Sequence, residues 1–281
     1  LPIFMRHICC DLGRACAPSI MAGVLGQTVA APSVYTPAIL ERIERVPPRG
    51  HVGFGWDVWH CYELSWCVKG AVESWVGVLG IPADSPATVE SKSLKLYLNS
   101  LNHHDFESVP HAVSVITEDV SQCVGATVVL DLLPVTDVSG ITTELAGVNI
   151  PACPLGVEVG IIAPEHLSIS PRKGKVVSEQ LISHSLRSLC PVTSQPDWGS
   201  LLIEYTGQQI DHDSVARYLS GYREHQGFHE QCLEQIFTDL MALPIDKLVV
   251  AAFYQRRGGI DITPWRSSKP LPMSPQRLGR Q

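Results

Sequence analysis

Between Ser200 and Tyr254 the chain reads as strand, helix, helix, strand, and that order leaves few folds open. Ser200 to Tyr205 reads as a strand, with Gly207 in the turn after it. From about Asp211 to Glu224, Val215, Leu219 and Tyr222 stack as on a helix, with Asp211 or Asp213 as its cap. From about Phe228 to Leu243, Cys232, Ile236, Phe237 and Leu240 stack in the same way, and Pro244 ends the run. Leu248 to Tyr254 is a strand again, followed by a turn at Gly258-Gly259. The first half carries the same theme. Val72, Ser74, Val76 and Val78 alternate with their neighbours from Ala71 to Ile81, Val113 to Val124 recur at helical spacing before Gly125, and Ala126 to Leu133 reads as a buried strand. A duplicated α+β unit is expected, built as antiparallel sheets with helices packed on one face. The pattern fades into Gly, Thr, Pro and Asn between about Val135 and Pro154, the best place for a linker.

Length and charge bound what such a chain can do. Its 281 residues suggest two domains at the usual ~150 residues each, enough to bury a core without a metal or disulfide staple. Acidic residues outnumber basic ones 28 to 21, for a net charge of -7. That sign argues against a sequence-independent grip on nucleic acid or anionic lipid. The longest apolar runs, such as Ala126 to Val135, fall far short of the ~20 residues of a membrane span, and Asp131 interrupts that one. The nine cysteines are odd in number and contain no Cys-x-x-Cys pair, which speaks against a disulfide framework or a structural zinc site. Reduced thiols in a cytoplasmic protein are expected, and the question becomes which of them reacts. Residues 1–24 lack the continuous apolar core of a secretory signal and read as an N-terminal extension, expected to be disordered.

Several residues have types and spacings that fit chemistry. Cys190 lies in a stiff, proline-marked run, and Asp197, seven residues on, can fold back toward it. A cysteine nucleophile needs thiolate character, access and a group to handle its proton; a buried thiol acting as a small hydrophobe is the alternative. Glu90 opens a stretch with Ser91, Lys92 and Lys95. A carboxylate suits the paired donors of a guanine-like edge, and Ser beside Lys suits a phosphate; a solvated strand edge is the alternative. His229 and Glu230 open the second C-terminal helix, either as an ordinary first turn or as an imidazole and a second recognition carboxylate. Arg256-Arg257-Gly258-Gly259 suits a cofactor phosphate or an ordinary hairpin turn. Gly53-Phe-Gly55 lacks the third glycine of a dinucleotide fingerprint, and Trp56, Trp59, Tyr62 and Trp66 read as core. The histidines at 103, 104 and 212 form no metal-binding set, so no metal is expected.

Taken together, these residues resemble one family, the NADPH-dependent 7-cyano-7-deazaguanine reductases, nitrile reductases of queuosine biosynthesis, in their two-module form. The likeness runs from about Leu25 to Gln281. It rests on Asp57 to Trp66, Pro82 to Pro86, the Glu90 to Ser100 block, Ser183-His184, Cys190 with Gln195 to Ser200, Phe228 to Cys232, Arg256 to Asp261 and Pro264 to Ser267. Leu189 and Thr263 stand where the family more often shows Asn. The resemblance implies the tunnelling fold (T-fold), with an N-terminal module at 25–140 carrying Glu90 and a C-terminal module at 141–281 carrying Cys190, assembled as a homodimer. It further implies that Cys190 attacks the nitrile carbon to give a covalent thioimide, that Asp197 donates the proton, and that His229 joins them as a catalytic residue. Val89, Glu90, Ser91, His229 and Glu230 would line the deazaguanine site, and Ser91, Lys92, Arg257 and Gly258 would face NADPH. Neither flavin nor metal is expected, since hydride comes from the nicotinamide. At a net charge of -7 the substrate would be the free base, with no direct nucleic-acid or membrane partner. A pterin-type enzyme of the same fold would need a metal set, and a catalytically dead purine binder would have no use for Cys190 and Asp197.

Overall fold

The computed structural model describes residues 30–46, 53–151, 153, 159–171 and 176–281; the extension at 1–24 lies outside them. The first half contains β1 (Arg42–Glu44), β2 (Phe54–Val68), β3 (Ala71–Pro82), β4 (Ala87–Val89), α1 (Ser91–Ser100), β5 (Asp105–Phe106), α2 (Val109–Val124) and β6 (Val129–Pro134). Then come β7 (Thr142–Thr143), β8 (Val148–Asn149), β9 (Val176–Leu189), β10 (Pro196–Gln208), α3 (His212–Ser220), α4 (His229–Met241), β11 (Ile245–Tyr254), β12 (Ile260–Ser267) and β13 (Arg277–Leu278). The protein is α+β, as expected.

Both halves contribute to one nine-stranded sheet in the order β6-β3-β2-β12-β11-β10-β9-β8, with β5 beside β2. Pairing is antiparallel except at β8 on β9 and β5 on β2. The halves meet where β2 pairs with β12, Trp59 opposite Ile262. On one face, α1 and α2 cover a core of Trp59, Trp66, Leu94, Tyr97, Ile116 and their neighbours. In the second half α3 and α4 cover Leu201, Ile203, Val215, Ile236 and Phe237. On the opposite face Val58, Val78, Phe253 and Trp265 pack with Ile141 and Leu278. Packing on both faces explains why residues 57–62 of β2 are buried without interruption rather than in alternation.

The helices start and stop where their end chemistry dictates. Ser108 caps α2, which ends at Gly125 with φ 75°, and Asp211 caps α3. The Glu90 stretch departs from the strand-edge alternative. Leu94, Tyr97, Leu98 and Leu101 fall at helical spacing and are buried, and Glu90 turns its own carboxylate onto the free N–H groups of Lys92 and Ser93 to cap α1. The 135–154 stretch, read as a linker, also supplies the short edge strand β8.

Candidate active site

A cleft of about 380 Å3 opens where the helix-covered face of the β2–β12 junction meets the end of the β9–β10 hairpin. All ten residues expected to act on substrate or cofactor stand on its wall: Val89, Glu90, Ser91, Lys92, Cys190, Asp197, His229, Glu230, Arg257 and Gly258.

Cys190 and Asp197 are brought together by hairpin register. Leu189 pairs with Pro196 and Ser188 with Asp197; one step further, Cys190 N–H donates to the Gln195 carbonyl at 2.9 Å. Side chains alternate along a strand, so Cys190 and Asp197 fall on one face as diagonal cross-strand neighbours. The turn is closed by Ser194 N–H on the Cys190 carbonyl at 2.9 Å, with Ser194 at φ 55°. Cys190 is half-buried and, among the described cysteines, alone lines this wall. Cys61 and Cys232 differ: burial pushes both thiols up to about 12, which keeps them neutral.

The start of α4 is moored to the same hairpin. Leu189 N–H donates to the His225 carbonyl at 2.8 Å, and Gly227 N–H donates back to Leu189 at 3.1 Å. Both bonds are main-chain, so neither depends on the Leu189 side chain. His229 then stacks flat on Tyr254, ring centres 3.9 Å apart, and its Nε2 lies 3.3 Å from Asp197 Oδ2. The other Asp197 oxygen is 3.0 Å from Arg257 Nη2. Asp197 is nearly buried, yet it touches an imidazole on one side and a guanidinium on the other.

The two glutamates approach from different halves. Main-chain pairing of β1 with β4 ends at Arg42 opposite Val89, and Glu90 N–H continues it onto the Glu41 carbonyl at 2.8 Å. Glu90 accepts from Lys92 N–H at 2.8 Å and Ser93 N–H at 2.7 Å. Burial pushes its carboxyl above the usual range, with these main-chain donors pulling the other way. A carboxylate has about four acceptor sites, so capacity remains for a ligand. Glu230 is also buried. Desolvation, then the charge of Asp57, pushes its carboxyl up to about 7 against His229, its own N–H and Arg45.

The Arg256–Gly259 stretch forms a hairpin turn. Arg257 and Ile260 exchange main-chain hydrogen bonds at 2.8 and 3.0 Å around Gly258 (φ 57°) and Gly259 (φ 85°). Positive φ at both central positions marks the hairpin turn that glycine favours. A Cβ on Gly258 would stand 3.0 Å from Lys95 Nζ, so this bare main chain and a lysine share one rim. Lys92, Lys95 and Arg257 give the rim three cationic side chains. That donor set, beside a glycine turn, fits a phosphate-bearing dinucleotide.

Sequence reasoning missed part of the wall. Trp59, read as core, and Thr88 both line the cleft, and the Trp59 Nε1 and Thr88 Oγ1 atoms are buried without a hydrogen-bond partner. Only the strand register places them there. Lys95 of the Glu90 stretch also reaches the rim, a place its spacing does not reveal. Among the described residues no cluster of three or more His, Cys, Asp or Glu is arranged to hold a metal ion, and no helix is long and apolar enough to cross a membrane.

Residues 32–132 match the family described as nitrile reductase, 7-cyano-7-deazaguanine-reductase N-term, and residues 196–272 match that described as QueF-like protein. A relative from Chromohalobacter salexigens is 40% identical over 268 residues, 92% of this chain and 96% of the relative. One from Legionella pneumophila (strain Paris) is 39% identical, covering 90% and 92%. A third, from Burkholderia orbicola, is 41% identical, covering 89% and 94%. Each of the three is named NADPH-dependent 7-cyano-7-deazaguanine reductase. Among solved structures, the apo form of an archaeosine synthase QueF-Like overlaps 36% of this chain and all of its own, at 15% identity and a TM-score of 0.31. That likeness is too slight to bear on the argument.

Proposed function

The chain belongs to the 7-cyano-7-deazaguanine reductase family, and from that premise we propose that it reduces the nitrile of 7-cyano-7-deazaguanine to the primary amine through a covalent Cys190 thioimide. It is an oxidoreductase that depends on NADPH. One observation carries the reading of the site: a half-buried thiol, a neighbouring carboxylate and two further carboxylates from opposite halves share one cleft.

Glu90 and Glu230 bind the base. Its ring N–H and exocyclic amine are paired donors, which a carboxylate accepts side by side, and the lower dielectric around a buried carboxylate strengthens such charge-assisted bonds. Val89 and Ser91 line the base alongside Glu90, and His229 packs against it from its seat on Tyr254. The nitrile then points at the hairpin. Cys190, as thiolate, adds to the nitrile carbon; the S–C bond forms, one C–N π bond opens, and Asp197 delivers the proton to nitrogen. His229 and Arg257 hold Asp197 in line for that transfer, and His229 offers a path for its reprotonation. When bound, NADPH supplies hydride, two per nitrile. Ser91, Lys92, Arg257 and Gly258, with Lys95 on the same rim, would hold its phosphates. Reduction of the thioimide carbon would expel Cys190 as thiolate and leave an imine, which a second hydride together with a second proton, delivered again by Asp197, would convert to the amine. Splitting one difficult addition into two is the usual gain of a covalent route.

With purified protein, 7-cyano-7-deazaguanine and NADPH, the nicotinamide absorbance should fall by two equivalents per nitrile. Loss of one equivalent, or none, contradicts the four-electron reading. Replacing Glu90 by Ala should act twice. It should raise KM for the nitrile by at least about tenfold through the lost charge-assisted bonds, and uncap α1 at a cost of about 1 kcal/mol. Wild-type KM in Glu90→Ala would remove Glu90 from the binding site.

The same reading extends to the whole molecule. We take it to work in the cytoplasm, on the free base, as a homodimer of chains each folded as two modules, 25–140 and 141–281. Sedimentation at the mass of a single chain would contradict the dimer.

A further inference from the structure

Beneath the cleft lies a ring of four charges, three of them buried, that the proposed chemistry does not use. Arg266 is fully buried, and its guanidinium donates to Asp57 Oδ1 at 2.8 Å and Glu234 Oε1 at 2.6 Å. Arg45 closes the ring from the other side, donating to Asp57 Oδ2 and, at 3.2 Å, to Glu234 Oε1. Two cations and two anions balance. Asp57 and the Arg45 that follows β1 come from the first half, Glu234 on α4 and Arg266 on β12 from the second.

The ring is laid out under the cleft by periodicity alone. Asp57 precedes the wall residue Trp59 by two on β2, and Arg266 follows the wall residue Ile262 by four on β12, positions that share a strand face. Arg45 likewise follows the wall residue Ile43 by two. Glu234 lies one helical turn after Glu230, on the same side of α4.

We propose that the Arg45–Asp57–Arg266–Glu234 ring is a positioning element for substrate binding that acts through Glu230. Through Glu234 it pins α4 to the other half of the molecule one turn beyond Glu230, and so fixes where the Glu230 carboxylate stands opposite Glu90. The inference rests on Glu230 binding the substrate.

The ring's charges also reach Glu230 directly. Burial works against the charge of Asp57, but Arg266 and Arg45 outweigh it and hold that carboxyl below its usual range. Asp57 is thus an anion facing Glu230, which it discourages from ionising, while Arg45 and His229 encourage it. Glu234 stands one turn further along the same helix and is paired with Arg266 of β12, while Glu90 and Asp197 share the cleft wall with Glu230; Cys232 on α4 is held neutral by burial. The ionised form accepts the substrate's N–H groups, so binding should improve as pH rises through about 7. Neutralising Asp57 removes a repulsion and should move that rise to lower pH. Neutralising Arg45 removes an attraction and should move it to higher pH. A merely structural ring does not produce shifts of opposite sign.

The test is the pH profile of kcat/KM for 7-cyano-7-deazaguanine, which reports groups in the free enzyme. It compares the full chain with Asp57→Asn, Arg45→Met and Glu230→Gln. The acid limb should move down in Asp57→Asn and up in Arg45→Met, by about one pH unit each. KM should rise about tenfold while kcat changes far less. Limbs that stay in place, or move together, overturn the proposal. If Glu230→Gln itself keeps the wild-type limb and KM, the fault lies instead with Glu230 as a substrate ligand. Should both charge variants fail to fold, Arg45→Lys keeps the charge but loses the two-pronged contact. It is expected to raise KM with the limb in place, and an unchanged KM there also overturns the proposal.

Discussion

Cys190→Ala is expected to abolish nitrile reduction, lowering kcat by about 10⁴-fold or more, with the fold and Tm nearly unchanged. The thiol is half-buried at the end of a hairpin rather than packed in a core, so its loss leaves no large cavity. The other described thiols offer no substitute on this wall, and burial holds Cys61 and Cys232 protonated. Steady-state NADPH oxidation over a wide range of enzyme concentration measures the effect. Residual activity within tenfold of wild type would mean that hydride reaches the nitrile without a covalent intermediate.

The second large effect belongs to Asp197. Asp197→Asn keeps the size of the side chain and an acceptor for Arg257, but has no proton to give. Proton transfer by a positioned side chain is worth about 10²–10⁴-fold, and kcat should fall within that range while KM for NADPH changes little. The loss should appear in thioimide formation itself, read by rapid mixing without NADPH. A kcat within a few-fold of wild type would transfer the acid role to His229, the group 3.3 Å away.

Much of this was legible in the sequence wherever one element's own periodicity decided the matter. The helix ending at Gly125, the start of the Asp211-capped helix and the Gly258-Gly259 turn are set by near neighbours in sequence and stand where the pattern placed them, although the Asp211 helix, expected to reach Glu224, gives way after Ser220 to a 3-10 turn. The Glu90 stretch was ambiguous because its polar residues alternate with leucines as in a strand; only the cap bonds to Lys92 and Ser93 and the burial of Tyr97 decide for a helix. The ten wall residues were named largely through family resemblance. Spacing alone left Cys190 as either a nucleophile or a buried hydrophobe, because the direction a thiol faces depends on the β9–β10 register. Asp57 and Arg266 lay in the matched blocks, but no chemistry was assigned to them. Their bond joins positions 209 residues apart, and the Arg45–Glu234 bond joins positions 189 apart, so only tertiary structure reveals the ring. Trp59 was read as core and is core, yet the face it shares with Ile262 also walls the cleft.

The central claim is a sulfur–carbon bond between Cys190 and the nitrile, and intact mass spectrometry tests it most directly. Protein mixed with 7-cyano-7-deazaguanine in the absence of NADPH should gain the full mass of one substrate molecule, since the thiol adds across the C–N bond without a leaving group. Peptide mapping should put the added mass on Cys190, NADPH should discharge it, and Cys190→Ala should lack it. Wild-type protein that turns over nitrile and NADPH, yet never carries the adduct on Cys190 under denaturing quench, would contradict the account.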